Sequence, residues 1–210
     1  MMQNTLFNLA VENNLVPSDY FESWDEFSEW QFRFLVKKIR IPTDTQFLDI
    51  GCGSLRLGYL LIPYLKDDCY CGLDAFEPFI NLGNDLMKHV GNQKRYYAIC
   101  SSDFNFDSFD RTFDVAFAHS VLGHLSRQQN RRCFEELKKV MTAGGKFYGT
   151  VALSGKGRGA RPGFFYGGIT PFRKPSFTSL DYLVEISEEL GISAKEIDSD
   201  HQQKMMEFTF

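Results

Sequence analysis

At 210 residues and a formal net charge of −4, the chain has room for one well-buried α/β domain or two very small ones, and it does not present a polyanion-binding surface spread over the whole molecule. No apolar run approaches the roughly 18 residues a membrane helix needs, and the start MMQNTLFNLA lacks the basic end and long apolar centre of a signal peptide, so a cytoplasmic protein without membrane contact is expected. The five cysteines (Cys52, Cys69, Cys71, Cys100 and Cys133) form no Cys-x-x-Cys pair, which points to reduced, mostly buried thiols and to no metal site. Cys69 and Cys71 stand two apart in an apolar run and are expected on one face of a strand.

Asp19 to Arg40 opens the ordered part. Phe27, Trp30 and Phe34 recur at helical spacing with Trp24 on nearly the same face, and Pro42 stops the helix. Such a stripe packs a helix on a sheet, and Trp24 or Trp30 could also cover a bound molecule. Gln46–Ile50 is predicted as the first strand. It runs into Gly51-Cys52-Gly53, where the absence of a Cβ lets the backbone turn tightly and a ligand come close. A helix follows over Leu57–Lys66, and a second strand, Cys69–Leu73, ends in Asp74. Next come a helix at Glu77–Val90, a strand at Arg95–Cys100 and a fourth strand at Thr112–Ala118. The helix Arg127–Met141 carries Arg131, Arg132, Lys138 and Lys139 on a face read as solvated. Gly144-Gly145 then leads into a fifth strand, Lys146–Leu153. After a Gly-, Pro- and aromatic-rich segment, Ser154–Ser176, the pattern gives a helix at Phe177–Leu190 and strands at Ile192–Ile197 and Lys204–Phe210. This alternation makes a doubly wound α/β sheet closed by an antiparallel pair, with residues 1–45 as an N-terminal helical cover and 46–210 as the main body of one domain.

An acid about 20 residues beyond a glycine turn, at the end of the next strand, suits hydrogen bonding to ribose hydroxyls, and Asp74 has that place. The dinucleotide fingerprint wants a third glycine, whereas Ser54, Leu55 and Arg56 follow Gly53 here. Taken together, FLDIGCGSLRLG, GLDAFEP, CSSDFNF, FDVAFAHSVLGHL and LKKVMTAGGKFYGTV resemble five consecutive motifs of the class I S-adenosylmethionine-dependent methyltransferases, in that family's order. The resemblance implies a single Rossmann-like, seven-stranded sheet with the last strand antiparallel, and methyl transfer from S-adenosylmethionine.

By the same resemblance, Asp49, Gly51 and Gly53 would cradle the methionine part of the cofactor. Asp74 would take the ribose hydroxyls and Ala75 would lie beside the adenine, whose amino group Asp103 would read with Phe104 next to it. Ala118 and His119 would line the cofactor from the end of the fourth strand. Leu55 is the departure, since many members carry glycine there. Arg33 and Arg56 are each candidates to pair with the cofactor carboxylate. Asp74 and Asp103 also suit a helix cap and a polar turn.

Methyl transfer to oxygen or an ammonium nitrogen releases a proton, for which a histidine is suited near neutral pH. His119 is the first candidate base and His124 the second. The segment from Lys156 to Lys174 holds Arg158, Arg161, Tyr166 and Arg173 with no acid among them, a composition suited to an anionic, phosphorylated or nucleotide-linked small acceptor. The expected function is methylation of such a metabolite at O or N. An RNA or protein methyltransferase and a cofactor-binding, non-catalytic partner subunit are the alternatives, although the acidic balance and the lack of an appended binding module speak against nucleic acid. Neither the acceptor nor the oligomeric state is legible from the residues.

Overall fold

The structure, a computed structural model, describes residues 24–151, 178–199 and 203–210. Its seven strands are β1 (Phe47–Ile50), β2 (Tyr70–Asp74), β3 (Tyr97–Cys100), β4 (Phe113–Ala118), β5 (Met141–Val151), β6 (Ser193–Ile197) and β7 (Lys204–Thr209). The helices are α1 (Trp24–Arg33), α2 (Gly58–Tyr64), α3 (Glu77–His89), α4 (Arg127–Val140) and α5 (Leu180–Glu189). The sheet order is β3-β2-β1-β4-β5-β7-β6. Strands β1 to β5 pair in parallel, and β7 runs antiparallel to both β5 and β6. The expected α/β sheet with its antiparallel final strand is therefore present.

The apolar alternation of the strands feeds two cores. Leu48, Leu73, Phe147, Met206 and Phe208 face one side, where Phe134 of α4 and Ile186 of α5 cover them. Phe134, Phe147 and Phe208 form a ring cluster with centroids 4.8–5.7 Å apart, a geometry that adds specificity to burial. Phe47, Tyr70, Phe117, Tyr148 and Met205 face the other side, under Phe34, Leu35 and Leu61. A one-residue register slip would exchange these two sets, so the register is strongly specified.

Three local readings change. Helix α1 is continued at Phe34–Ile39 by a wider π-helical stretch, and Arg40, at φ 64°, ends it before Pro42. Strand β5 begins earlier than Lys146. Met141 pairs with Phe113 and Lys146 with Val115, so residues 142–145 bulge between those pairs. Cys69 does not share a face with Cys71. It lies just ahead of β2, packs in the layer with Tyr70 and accepts from Gln46 Nε2 at 3.3 Å, while Cys71 faces the opposite core. Among the described residues, no helix is long and apolar enough to cross a membrane.

Candidate functional site

Strand order reverses beside β1, which lies between β2 and β4, and the carboxyl ends of β1, β2 and β4 converge there. This is the switch point at which open α/β sheets place ligands. Gly51 (φ 72°) and Gly53 (φ 55°) make the turn leaving β1. Asp74 at the end of β2 locks it, because its Oδ2 accepts from Gly53 N at 2.9 Å and its Oδ1 from Phe76 N at 2.9 Å. Burial raises the pKa of Asp74, and the backbone donors of Phe76, Gly53 and Ala75 oppose that shift.

Gly51 has a packing reason of its own. A Cβ built there would stand 2.4 Å from Val121 Cγ2, so the segment after β4 rests on the glycine turn. Gly51→Ala must both displace this β-branched side chain and hold φ near 72°. It is expected to cost roughly 2–4 kcal/mol in urea unfolding. A loss below about 0.5 kcal/mol, the size of an ordinary surface change, would show that Val121 yields freely.

Leu55 is where the turn departs from the motif it resembles, and its φ is +57°, the left-handed conformation glycine favours. Its side chain is fully buried. Cβ atoms at Gly58 and Gly83 would lie 3.1 Å and 2.8 Å from Leu55 atoms, and the Gly83 Cβ would also lie 2.9 Å from the Ser54 carbonyl carbon. The loop keeps a glycine-like path, and the side chain added at 55 is received by glycines elsewhere.

Asp49 is buried beneath the turn and accepts from Tyr70 Oη at 2.6 Å. Burial pushes its pKa up to about 7, against the lowering effects of the Tyr70 bond and of nearby Arg56. A small cavity joins Asp49, Gly51, Arg56 and His119 with Gln31 of α1 and Phe117 of β4. Arg56 Nη2 lies 3.2 Å from His119 Nδ1, and the guanidinium stands over the Phe27 ring at 5.3 Å. Its Nε is buried without a hydrogen-bond partner among the described residues. Rings of Phe27 and Trp30 lie 5.7 Å and 5.4 Å from that of His119, so α1 forms one wall of the site. Trp30 is tethered through its indole N–H to Ser199 O at 2.9 Å. Trp24, fully buried, donates to Ser54 Oγ at 3.4 Å and packs on Tyr59.

The other candidates divide. Ala118 is buried at the end of β4, opposite Gly149. Ala75 is exposed beyond β2, and Phe104 is buried at φ 60°. Asp103 is exposed, and the Ser101 hydroxyl, donating at 2.6 Å, holds its carboxyl below the usual range. Ser102, Asp103 and Phe104 border a cleft of about 390 Å³ with Gln128, Arg131 and Arg132 of α4. His124 sits exposed in the turn before α4, its backbone N–H donating to Val121 O. Partial desolvation of the ring lowers its pKa, and it is not among the residues lining the cavity that holds His119. Arg33 is exposed at the end of α1 and does not line that cavity either. Arg158, Arg161, Tyr166 and Arg173 lie outside the described residues. Gln31, Tyr70 and Val121 escape sequence reasoning, because only their three-dimensional neighbours mark them.

The basic run on α4 is not simply solvated. Arg131 pairs with Glu189 of α5, Arg132 with Glu136 at 2.5 Å and Lys139 with Glu136 at 2.7 Å, while Lys138 donates to Leu190 O at 2.6 Å. These contacts fasten α4 to α5 and neutralise the buried Glu136.

A doubly wound sheet in the order 3-2-1-4-5-7-6, with a glycine turn facing an acid across its switch point, defines a nucleoside-type cofactor fold. Residues 48–147 match the family model described as a methyltransferase domain. The magnesium protoporphyrin IX methyltransferase of Synechocystis PCC 6803, solved with bound S-adenosylmethionine, superposes with a TM-score of 0.66 at 12% identity, over 91% of this chain and 81% of that one. An S-adenosylmethionine-dependent methyltransferase from Clostridium acetobutylicum ATCC 824 gives 0.64 at 12% identity, over 89% and 91% of the two chains. The chain therefore carries a methyltransferase domain over residues 48–147 and shares the fold of the S-adenosylmethionine-dependent methyltransferases on which it superposes.

Proposed function

We propose that the protein transfers a methyl group from S-adenosylmethionine to an oxygen or nitrogen of a small, anionic acceptor. The observation that carries the cofactor half is the Asp74–Gly53 bond. It fixes the glycine turn and leaves Asp74 half-buried with carboxylate lone pairs to spare, as ribose hydroxyls require. The buried Arg56 Nε and the carboxyl of Asp49 in the same cavity suit the two charged groups of an amino acid.

On this reading Asp49, Gly51 and Gly53 hold the methionine end, Arg56 takes its carboxylate, and Asp74 takes the ribose. Ala75, Asp103 and Phe104 flank the adenine, and Ala118 lines the cofactor from the end of β4. The cofactor supplies an activated methyl group whose departure turns a sulfonium into a neutral thioether. The chain's own tasks are to align the acceptor, exclude water and receive the proton the acceptor gives up. Phe27, Trp30 and Phe117 supply apolar walls, and His119 is the proton acceptor nearest the cavity. An anionic acceptor is supported by the basic side chains between Lys156 and Lys174. The Synechocystis neighbour, named for a porphyrin, is a relative in fold that acts on a small molecule.

Titration calorimetry with S-adenosylmethionine and S-adenosylhomocysteine tests the cofactor half, with micromolar binding of both as the expected result. Folded protein that binds neither would overturn it. The acceptor half is tested by following S-adenosylhomocysteine release with phosphorylated, sugar-linked and nucleotide-linked candidates. Turnover restricted to neutral acceptors would refute the anionic assignment.

A further inference from the structure

Arg56 and His119 form a pair whose chemistry is constrained more tightly than its distance suggests. A guanidinium has donors and no acceptor, so at 3.2 Å from Arg56 Nη2 the His119 Nδ1 must accept. The ring is then neutral, with its proton on Nε2 and its single basic lone pair directed at Arg56. In this arrangement His119 has no lone pair with which to take a proton from an acceptor molecule. The rings of Phe27 and Trp30 flank it on the α1 side, and Asp49 shares the cavity.

We infer that Arg56 is a positioning residue that holds His119 out of action until a carboxylate draws the guanidinium away from Nδ1. The inference rests on the cofactor reading above, in which that carboxylate is the cofactor's own. A carboxylate that takes the Nη2–H now shared with Nδ1 together with the Nε–H makes two charge-assisted bonds, which outcompete the single bond to a neutral imidazole. The Nε of Arg56, buried and without a partner among the described residues, is the second donor such a two-point contact uses. Binding of the amino-acid end then releases Nδ1 to face the acceptor. A base blocked by the arginine that senses the cofactor acts only in the loaded enzyme.

Long-range ¹⁵N–¹H NMR of histidine-labelled protein tests this, with only four histidines to assign and His119→Gln to identify the relevant pair of signals. At pH 7.5 the free protein should show His119 protonated at Nε2, with an Nδ1 resonance shifted by hydrogen bonding. Arg56→Met should move that resonance towards the value of an unbonded acceptor. S-Adenosylhomocysteine should cause the same shift in the wild type, whereas 5′-methylthioadenosine, which lacks the amino-acid part, should not. Arg56→Met should weaken S-adenosylhomocysteine about tenfold or more and methylthioadenosine less than about twofold. Should Arg56→Met fail to fold, Arg56→Lys serves instead, with the Nδ1 shift altered and the tenfold selectivity reduced.

S-Adenosylhomocysteine binding that leaves Nδ1 unmoved, or an equal response to methylthioadenosine, would overturn the coupling while the cofactor reading stands. If neither ligand binds, both fall, and the Nδ1 signal of the free protein still reports whether Arg56 holds it.

Discussion

Asp74→Ala should abolish measurable binding of S-adenosylmethionine and lower stability by about 1–3 kcal/mol, the cost of leaving partly buried donors unpaired. Two causes act together. The carboxylate is the proposed acceptor for the ribose hydroxyls, and it already accepts from Gly53 N and Phe76 N. Removing it frees both N–H groups, one in the glycine turn and one at the start of α3, so the turn loses its fixed path as the ligand loses its contact. Asp74→Asn does not repair this, because one carboxylate oxygen becomes an amide NH₂ facing a backbone donor. Calorimetry read beside urea unfolding separates the two effects. A variant that loses stability yet binds the cofactor with wild-type affinity would leave Asp74 as a turn anchor alone.

Asp49→Asn should do the opposite to stability. The folded protein holds the Asp49 proton up to about pH 7, whereas an unperturbed Asp loses it near 3.8. Between those values the native state binds more protons than the unfolded chain, so the contribution of this group falls as pH rises and its full cost is present above about pH 7. Asparagine carries no charge to desolvate and can still accept from the Tyr70 hydroxyl. The variant should gain about 1–3 kcal/mol at pH 8, below the linkage ceiling of about 4 kcal/mol set by the shift, and close to nothing at pH 4. It should at the same time bind the cofactor more weakly, a trade of stability for function. Denaturant unfolding at the two pH values decides the matter. An equal effect at both would mean that the fold does not raise the pKa of Asp49, and a loss at pH 8 that Arg56 and Tyr70 stabilise the carboxylate more than burial penalises it.

The fold is legible in the sequence because it rests on local signals. Period-two apolar runs, turn glycines and the helices between them mark the strands, and errors fall at ends such as the start of β5, where a bulge intervenes. The glycine turn and Asp74 are legible for the same reason. What escapes depends on pairs remote in sequence. Tyr70 lies 21 residues from the Asp49 it donates to, and Arg56 lies 63 from His119. Gln31 reads as a polar position on an aromatic helix and is buried against the site. The arginines of α4 look solvated until α5 brings Glu189 to Arg131, and no periodicity announces that partner. Cys69 is misplaced when alternation is carried one residue ahead of the strand.

Leu55 has a consequence for how this sequence can change. With Leu55 buried in a left-handed conformation and received by Gly58 and Gly83, the three positions cannot drift one at a time. Alanine at 83 meets Leu55 and the Ser54 backbone together, and glycine at 55 relaxes the backbone while emptying a leucine-sized space in the core. A larger residue at 83 or 58 needs more than glycine at 55, because a Cβ at 83 lies 2.9 Å from the Ser54 carbonyl carbon and one at 58 lies 2.9 Å from Tyr70 Oη. A mutational library that randomised these sites separately would discard combinations that fold only as a set.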